Sequence, residues 1–177
     1  MEKYLLDDIK RKVGERTASK CDKRHNLGHL QNVTKNALTI SKEHSTDTAL
    51  MEAICYVHDL TYTIYDPGIK TYFLERKYIT WILVGFLKEF DISGNEKNII
   101  INACGKHTHS FPFRRLNKKG DIYTKILQDA DTLEDFDEER IDSFFENLPG
   151  FLSPLKRLFK RMIRPRFINF FLNLPRY

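Results

Sequence analysis

The sequence has little cysteine and no pattern to it. Cys21, Cys55 and Cys104 are odd in number and scattered, with no C-x-x-C pair. That argues against a disulfide framework or a zinc knuckle and fits a reducing compartment. It also lacks a membrane-length apolar run: the longest, Ile79 to Leu87, falls far short of the ~20 residues a span needs. The opening Met1-Glu2-Lys3, followed by Asp7, Asp8 and Lys10, lacks the basic-then-apolar order of a signal peptide. A cytoplasmic protein is expected. No stretch alternates convincingly at period two, no segment repeats and none is of low complexity. The last absence is local: Phe151 to Tyr177 contains no acid but seven bases, Lys156, Arg157, Lys160, Arg161, Arg164, Arg166 and Arg176. The net charge of +5 less these seven leaves −2 for the rest, so the basic character belongs to the tail. Nucleic-acid binding by the body is not implied by the pI.

What is present is helical periodicity. At 177 residues the chain is expected to form one domain with a real core. Tyr4, Leu5, Ile9 and Val13 predict a first helix ending near Gly14, and Leu30, Val33, Ala37 and Ile40 an amphipathic second. Ser45-Thr46-Asp47 offers N-caps for a third, which carries Ala49, Leu50, Ala53, Ile54 and Val57 towards His58. After the turn signal Asp66-Pro67-Gly68 comes a long apolar helix, about Tyr72 to Phe90, closed by Ser93-Gly94. Ile99 to Cys104 continues as helix, and His107 to Gly120 reads as a basic loop. Helical spacing returns with Ile122, Ile126, Leu127, Ala130 and Leu133, then Ile141, Phe144 and Phe145 before Pro149-Gly150. The expected architecture is all-α, with eight or nine helices.

Five of the six histidines fall in three short places: His25 with His29, His58, and His107 with His109. His25 and His29 are one helical turn apart. His58 adjoins Asp59 at the end of the apolar run Ala53 to Val57. Buried, such a pair is costly unless compensated, by a metal or by salt bridges and backbone hydrogen bonds. Gln128-Asp129-Ala130-Asp131 lies on another helix among apolar neighbours, so three helices could bring donors to one site. Imidazole and carboxylate without thiolate suit Mn, Fe, Ni, Mg or Zn and leave positions open for water and substrate.

These motifs resemble those of the HD superfamily of metal-dependent phosphohydrolases, in particular small stand-alone members, some of which are nucleotide pyrophosphohydrolases. The first family motif is similar to His25-Asn26-Leu27-Gly28-His29-Leu30-Gln31-Asn32-Val33, and the second to Val57-His58-Asp59-Leu60. An H-S-F segment stands as His109-Ser110-Phe111, and the last motif as Gln128-Asp129-Ala130-Asp131-Thr132-Leu133-Glu134. Four motifs in order cover roughly residues 20 to 140. The resemblance implies an HD-domain helical bundle over 1–150 and one divalent metal (Mn, Fe, Ni, Mg, Co or Zn) held by His29, His58, Asp59 and Asp131. It implies catalytic roles for Asp59 and for His109, the latter beside bound phosphate or water. His25, His107 and Asp129 would support the ligands or replace one, and Asp129 and Asp131 cannot both point at the ion. The family's usual Asp and basic residue in the first motif are replaced by Asn26 and Gln31/Asn32, and Thr61 to Asp66 is more apolar than in many relatives. The implied substrate is a nucleotide or small phosphorylated metabolite. The alternative is a non-catalytic HD-fold module binding a nucleotide or a macromolecular partner.

Phosphate-binding candidates are Lys70, Arg76, Lys77, Lys106, Arg114 and Arg115, each weighed against a plain solvated cation. His44 reads as a surface residue and Glu134 to Glu139 as an exposed helix start. Tyr62, Tyr65 and Phe111 could stack on a base but read first as core. In residues 151–177, Leu155, Leu158, Phe159, Met162 and Ile163 form an apolar stripe opposite the bases. This C-terminal amphipathic basic helix is expected to pack on the domain or on a second copy in a homodimer. Nucleic acid or an anionic membrane is the less favoured partner.

Overall fold

The computed structural model describes residues 1–19, 25–107 and 120–135. The chain divides into two units, Met1–Glu134 and Asp135–Tyr177. Apart from Asp135, the second unit lies outside the described residues, and with it the predicted helix at Ile141 to Phe145 and the basic amphipathic helix. The loop His107 to Gly120 falls outside almost entirely.

Every regular element among the described residues is helical, as the spacing predicts. The order is α1 (Lys3–Ser19), α2 (Leu27–Ser41), α3 (Thr48–Val57), a 3-10 turn (Leu60–Thr63), α4 (Ile69–Phe86) with a 3-10 extension (Leu87–Glu89), α5 (Gly94–His107) and α6 (Ile122–Asp135). α3 is the central piece. It buries Leu50, Met51, Ala53, Ile54, Cys55 and Val57, which cover more than half of its circumference. A helix with so wide an apolar face needs several neighbours, and α1, α2 and α5 all pack against it. α4 packs on α5 at a close approach: a Cβ added to Gly105 would meet the Thr80 hydroxyl at 3.1 Å.

Helix starts follow local capping chemistry. Asn26 accepts from the His29 N–H at 3.0 Å to open α2, and Asp47 accepts from the Leu50 N–H at 3.0 Å to open α3. Asp121 does the same for α6, accepting from the Thr124 N–H at 2.8 Å. Two boundaries differ from expectation. Ser93-Gly94 does not close α4; Ser93 and Glu96 form a reciprocal capping box that opens α5, Glu96 N–H donating to Ser93 Oγ and Ser93 N–H to Glu96. α1 runs past Gly14 to Ser19. One helical glycine costs only about 1 kcal/mol, and the added turn buries Thr17 and brings Arg16 to Glu89.

Candidate metal centre

His58 and Asp59 sit where α3 stops. His58 is the C-cap and Asp59 leads into the 3-10 turn, at φ −105° and ψ 16°. The pair therefore lies at a helix end rather than within a helix, and both side chains turn inwards; His58 is fully buried and Asp59 nearly so. His29 arrives from the first turn of α2, and Asp131 from α6. His29 Nε2 lies 3.1 Å from Asp59 Oδ2, 3.3 Å from His58 Nε2 and 3.6 Å from Asp131 Oδ1. His58 Nε2 lies 3.4 Å from Asp59 Oδ2 and 3.8 Å from Asp131 Oδ1. Donors bound tetrahedrally at about 2.1 Å stand about 3.4 Å apart, so the spacing fits a shared cation.

The outer nitrogens strengthen that fit. His58 Nδ1 lies 2.7 Å from the Cys55 carbonyl, His107 Nδ1 2.5 Å from the Cys104 carbonyl, and His29 Nδ1 2.9 Å from Glu134 Oε2. A carbonyl or carboxylate oxygen only accepts, so each Nδ1 carries its proton and Nε2 is the nitrogen that can serve a cation. In neutral rings the 3.3 Å approach of His29 Nε2 to His58 Nε2 sets two lone pairs face to face. It becomes favourable once positive charge, a proton or a metal, lies between them.

The electrostatics point the same way. Burial pulls the His58 imidazole down, but Asp59 and Asp131 outweigh it and hold the ring above its ordinary value. Burial would raise Asp59, and the His58, His25 and His29 rings overcome it, leaving the carboxyl well below its usual range. Asp131 is lowered similarly, by the His58 and His29 rings against its burial. His107, on the last turn of α5, is pushed down by burial to about 4 and stays neutral. Gln128 fixes that end of α5 by donating to the Lys106 and His107 carbonyls, each at 3.3 Å.

Of the residues anticipated from sequence, His29, His58, Asp59, Asp131 and His107 come together, in clusters whose donor atoms lie within 4.8 Å of one another. His25 stacks on Tyr62, ring centroids 3.6 Å apart, with its edge towards His29. Asp129 belongs to none of these clusters; its neighbour two places on, Asp131, is the one turned inwards. Lys70 and Arg76 are exposed, Lys77 lies over the Trp81 ring at 4.8 Å, and Lys106 is half-buried beside His107. His109, Arg114 and Arg115 lie outside the described residues.

Two carboxylates went unanticipated. Glu134, expected at an exposed helix start, is buried in the last turn of α6, because it follows Asp131 by three and shares its inward face. Glu75 of α4 groups with Asp59 and His107. Burial raises it to about 8, and Asp59 and Asp131 add to the rise. The Tyr62 hydroxyl donates to it, which places Tyr62 beside the centre. A signal for Glu75 was present: it stands in line with Ile79, Leu83 and Phe86, an acid on an otherwise apolar face.

No family model matches the sequence, and no curated protein matches it. The fold does have a counterpart among solved structures. The chain aligns with the crystal structure of a predicted HD superfamily hydrolase from an uncultured Thermotogales bacterium, with a TM-score of 0.61 and 18% identity over 94% of this chain and 91% of that one. Among the described residues no helix is long and apolar enough to cross a membrane.

Proposed function

We propose that this chain is a metal-dependent phosphohydrolase acting on a nucleotide or a small phosphoester or phosphoanhydride. The carrying observation is the convergence of His29 and His58 Nε2 with Asp59 and Asp131 oxygens at 3.1–3.8 Å, with Nδ1 of both rings held by a hydrogen-bond acceptor. A divalent metal held by these four would polarise a phosphoryl oxygen and make a water nucleophilic near neutral pH. The chain's own part is orientation. Cys55, Cys104 and Glu134 fix three imidazole planes, and the apolar shell of α3 keeps bulk water from their inner side. Glu75 at about 8 holds a proton at neutral pH beside Asp59 and His107. Lys70, Arg76, Lys77, Lys106, Arg114 and Arg115 remain candidates from sequence for meeting a phosphate, and His109 for a catalytic role.

Metal analysis of the purified chain, followed by a phosphate-release screen of nucleotides and phosphoesters with Mn, Mg, Ni and Co, tests this. A bound divalent metal and turnover are expected, both lost in Asp59→Ala. Undiminished metal content in that variant would sink the assignment. Metal-loaded protein inert to the whole panel would favour a non-catalytic binding module on the same fold.

A further inference from the structure

The three imidazoles of the centre do not obtain their orientation in the same way. His58 and His107 each stand at the C-terminal end of a helix, α3 and α5. The last carbonyls of a helix have no intrahelical partner, so an Nδ1–H finds an acceptor three residues back, on Cys55 or Cys104. His29 stands at the opposite kind of end. It is the third residue of α2, where the unpaired backbone groups are N–H donors, and Asn26 O, three residues back, already accepts from the Leu30 N–H. The local backbone gives His29 Nδ1 no acceptor of the kind the other two use. One has to come from elsewhere in the fold.

It comes from α6. Glu134 Oε2 lies 2.9 Å from His29 Nδ1, and both side chains are almost wholly buried, at 5% and 4% exposed. Asp131, one turn earlier on the same helix, lies 3.6 Å from Nε2 of the same ring. α6 thus grips the imidazole from both nitrogens, one carboxylate facing the cluster and the other facing away. α2 and α6 are tied alongside by the Asn36 side-chain N–H donating to the Ala130 carbonyl at 3.3 Å.

We infer that Glu134 is a positioning residue for His29: an anionic acceptor that fixes the ring so that Nε2 faces the cation, and that strengthens Nε2 as an electron-pair donor. A carboxylate behind an imidazole raises its basicity more than a carbonyl does, so His29 is set apart from His58 and His107 as the ligand under charge control. This inference rests on the reading of the cluster as a divalent-metal site.

Cobalt(II) titrated into the full chain against a chromophoric chelator reads affinity, and its visible d–d bands read the ligand field. Glu134→Gln keeps an acceptor for Nδ1–H but removes the charge. It is expected to weaken cobalt binding about 10–100-fold and to shift the bands, which a merely structural role would leave in place. Wild-type affinity with unchanged bands in Glu134→Gln overturns the inference while leaving the metal centre standing. A wild-type chain that takes up no cobalt overturns the metal reading first, and this one with it. Where Glu134→Gln does not fold, Glu134→Asp decides. It keeps the charge but retracts the oxygen by one methylene, and unchanged affinity and bands there overturn the inference equally.

Discussion

The outer face of α1 and the centre beside α3 are both built from ionisable side chains, and they use them oppositely. On α1, Arg11 lies between Asp8 and Glu15 at 2.5 and 2.7 Å, and Lys12 and Arg16 share Glu89 at 2.9 and 3.3 Å. Each of these three acids has a full cation as partner, water screens the remainder, and such pairs contribute little to stability. In the centre, Asp59, Asp131 and Glu134 meet imidazoles, and its described ion pairs contain no lysine or arginine. Burial there makes every unbalanced charge expensive. The surface balances itself; on the proposed reading, a bound cation balances the centre.

If so, the largest effect should come from removing the metal. At a free concentration a thousandfold above Kd, a ligand of the native state adds about 4 kcal/mol. Urea unfolding of the metal-loaded chain should therefore lose several kcal/mol on chelation, and Asp59→Ala should show no chelator effect. A chelator-insensitive wild type would break the comparison.

Glu75 sharpens it next, in metal-free protein. Its folded pKa of about 8 lies above the ordinary 4.5, so between those values the folded chain holds more protons than the unfolded one. Its contribution is therefore present in full below about 4.5 and is lost as pH rises through 8. Urea midpoints should fall from pH 5 to pH 8.5 more steeply in wild type than in Glu75→Gln. Parallel slopes would mean that Glu75 carries no unfavourable charge.

Asn26→Ala should cost about 1 kcal/mol of stability through the lost cap. It should also loosen metal binding, since the N–H it releases belongs to His29; thermal melts with a chelator competition report both. At the small end, Glu89→Gln on the surface should leave the melting temperature and metal content within experimental scatter. A large shift there would blur the contrast between the two regions.

The fold was largely legible, because α2, α3 and α6 advertise themselves by apolar spacing and their caps by Asn26, Asp47 and Asp121. The misread boundaries had local causes: Ser93 looks alike as a stop or as a cap, and Gly14 is tolerated wherever the flanking turns pack well. His29, His58, Asp59 and Asp131 were legible as motif positions. Glu75 was not, and Glu134, although the last position of its motif, reads as exposed, because an acid in a helix is ordinarily a solvated one. Only the docking of α4 and α6 on the centre shows that these two face inwards, although their alignment with apolar neighbours was there to be read. Asn26, which looks like a departure from the family motif, turns out to hold the backbone of His29.

The grip of α6 on His29 also dictates when the site can exist. His29, His58 and Asp59 leave the ribosome early, but Asp131 and Glu134 follow some hundred residues after His29. A cation captured by the nascent chain before then would be held by a poorer and differently shaped set of donors. On the proposed reading the four-donor set is complete only when α6 docks, so metal occupancy of the native kind would report that synthesis has passed residue 134.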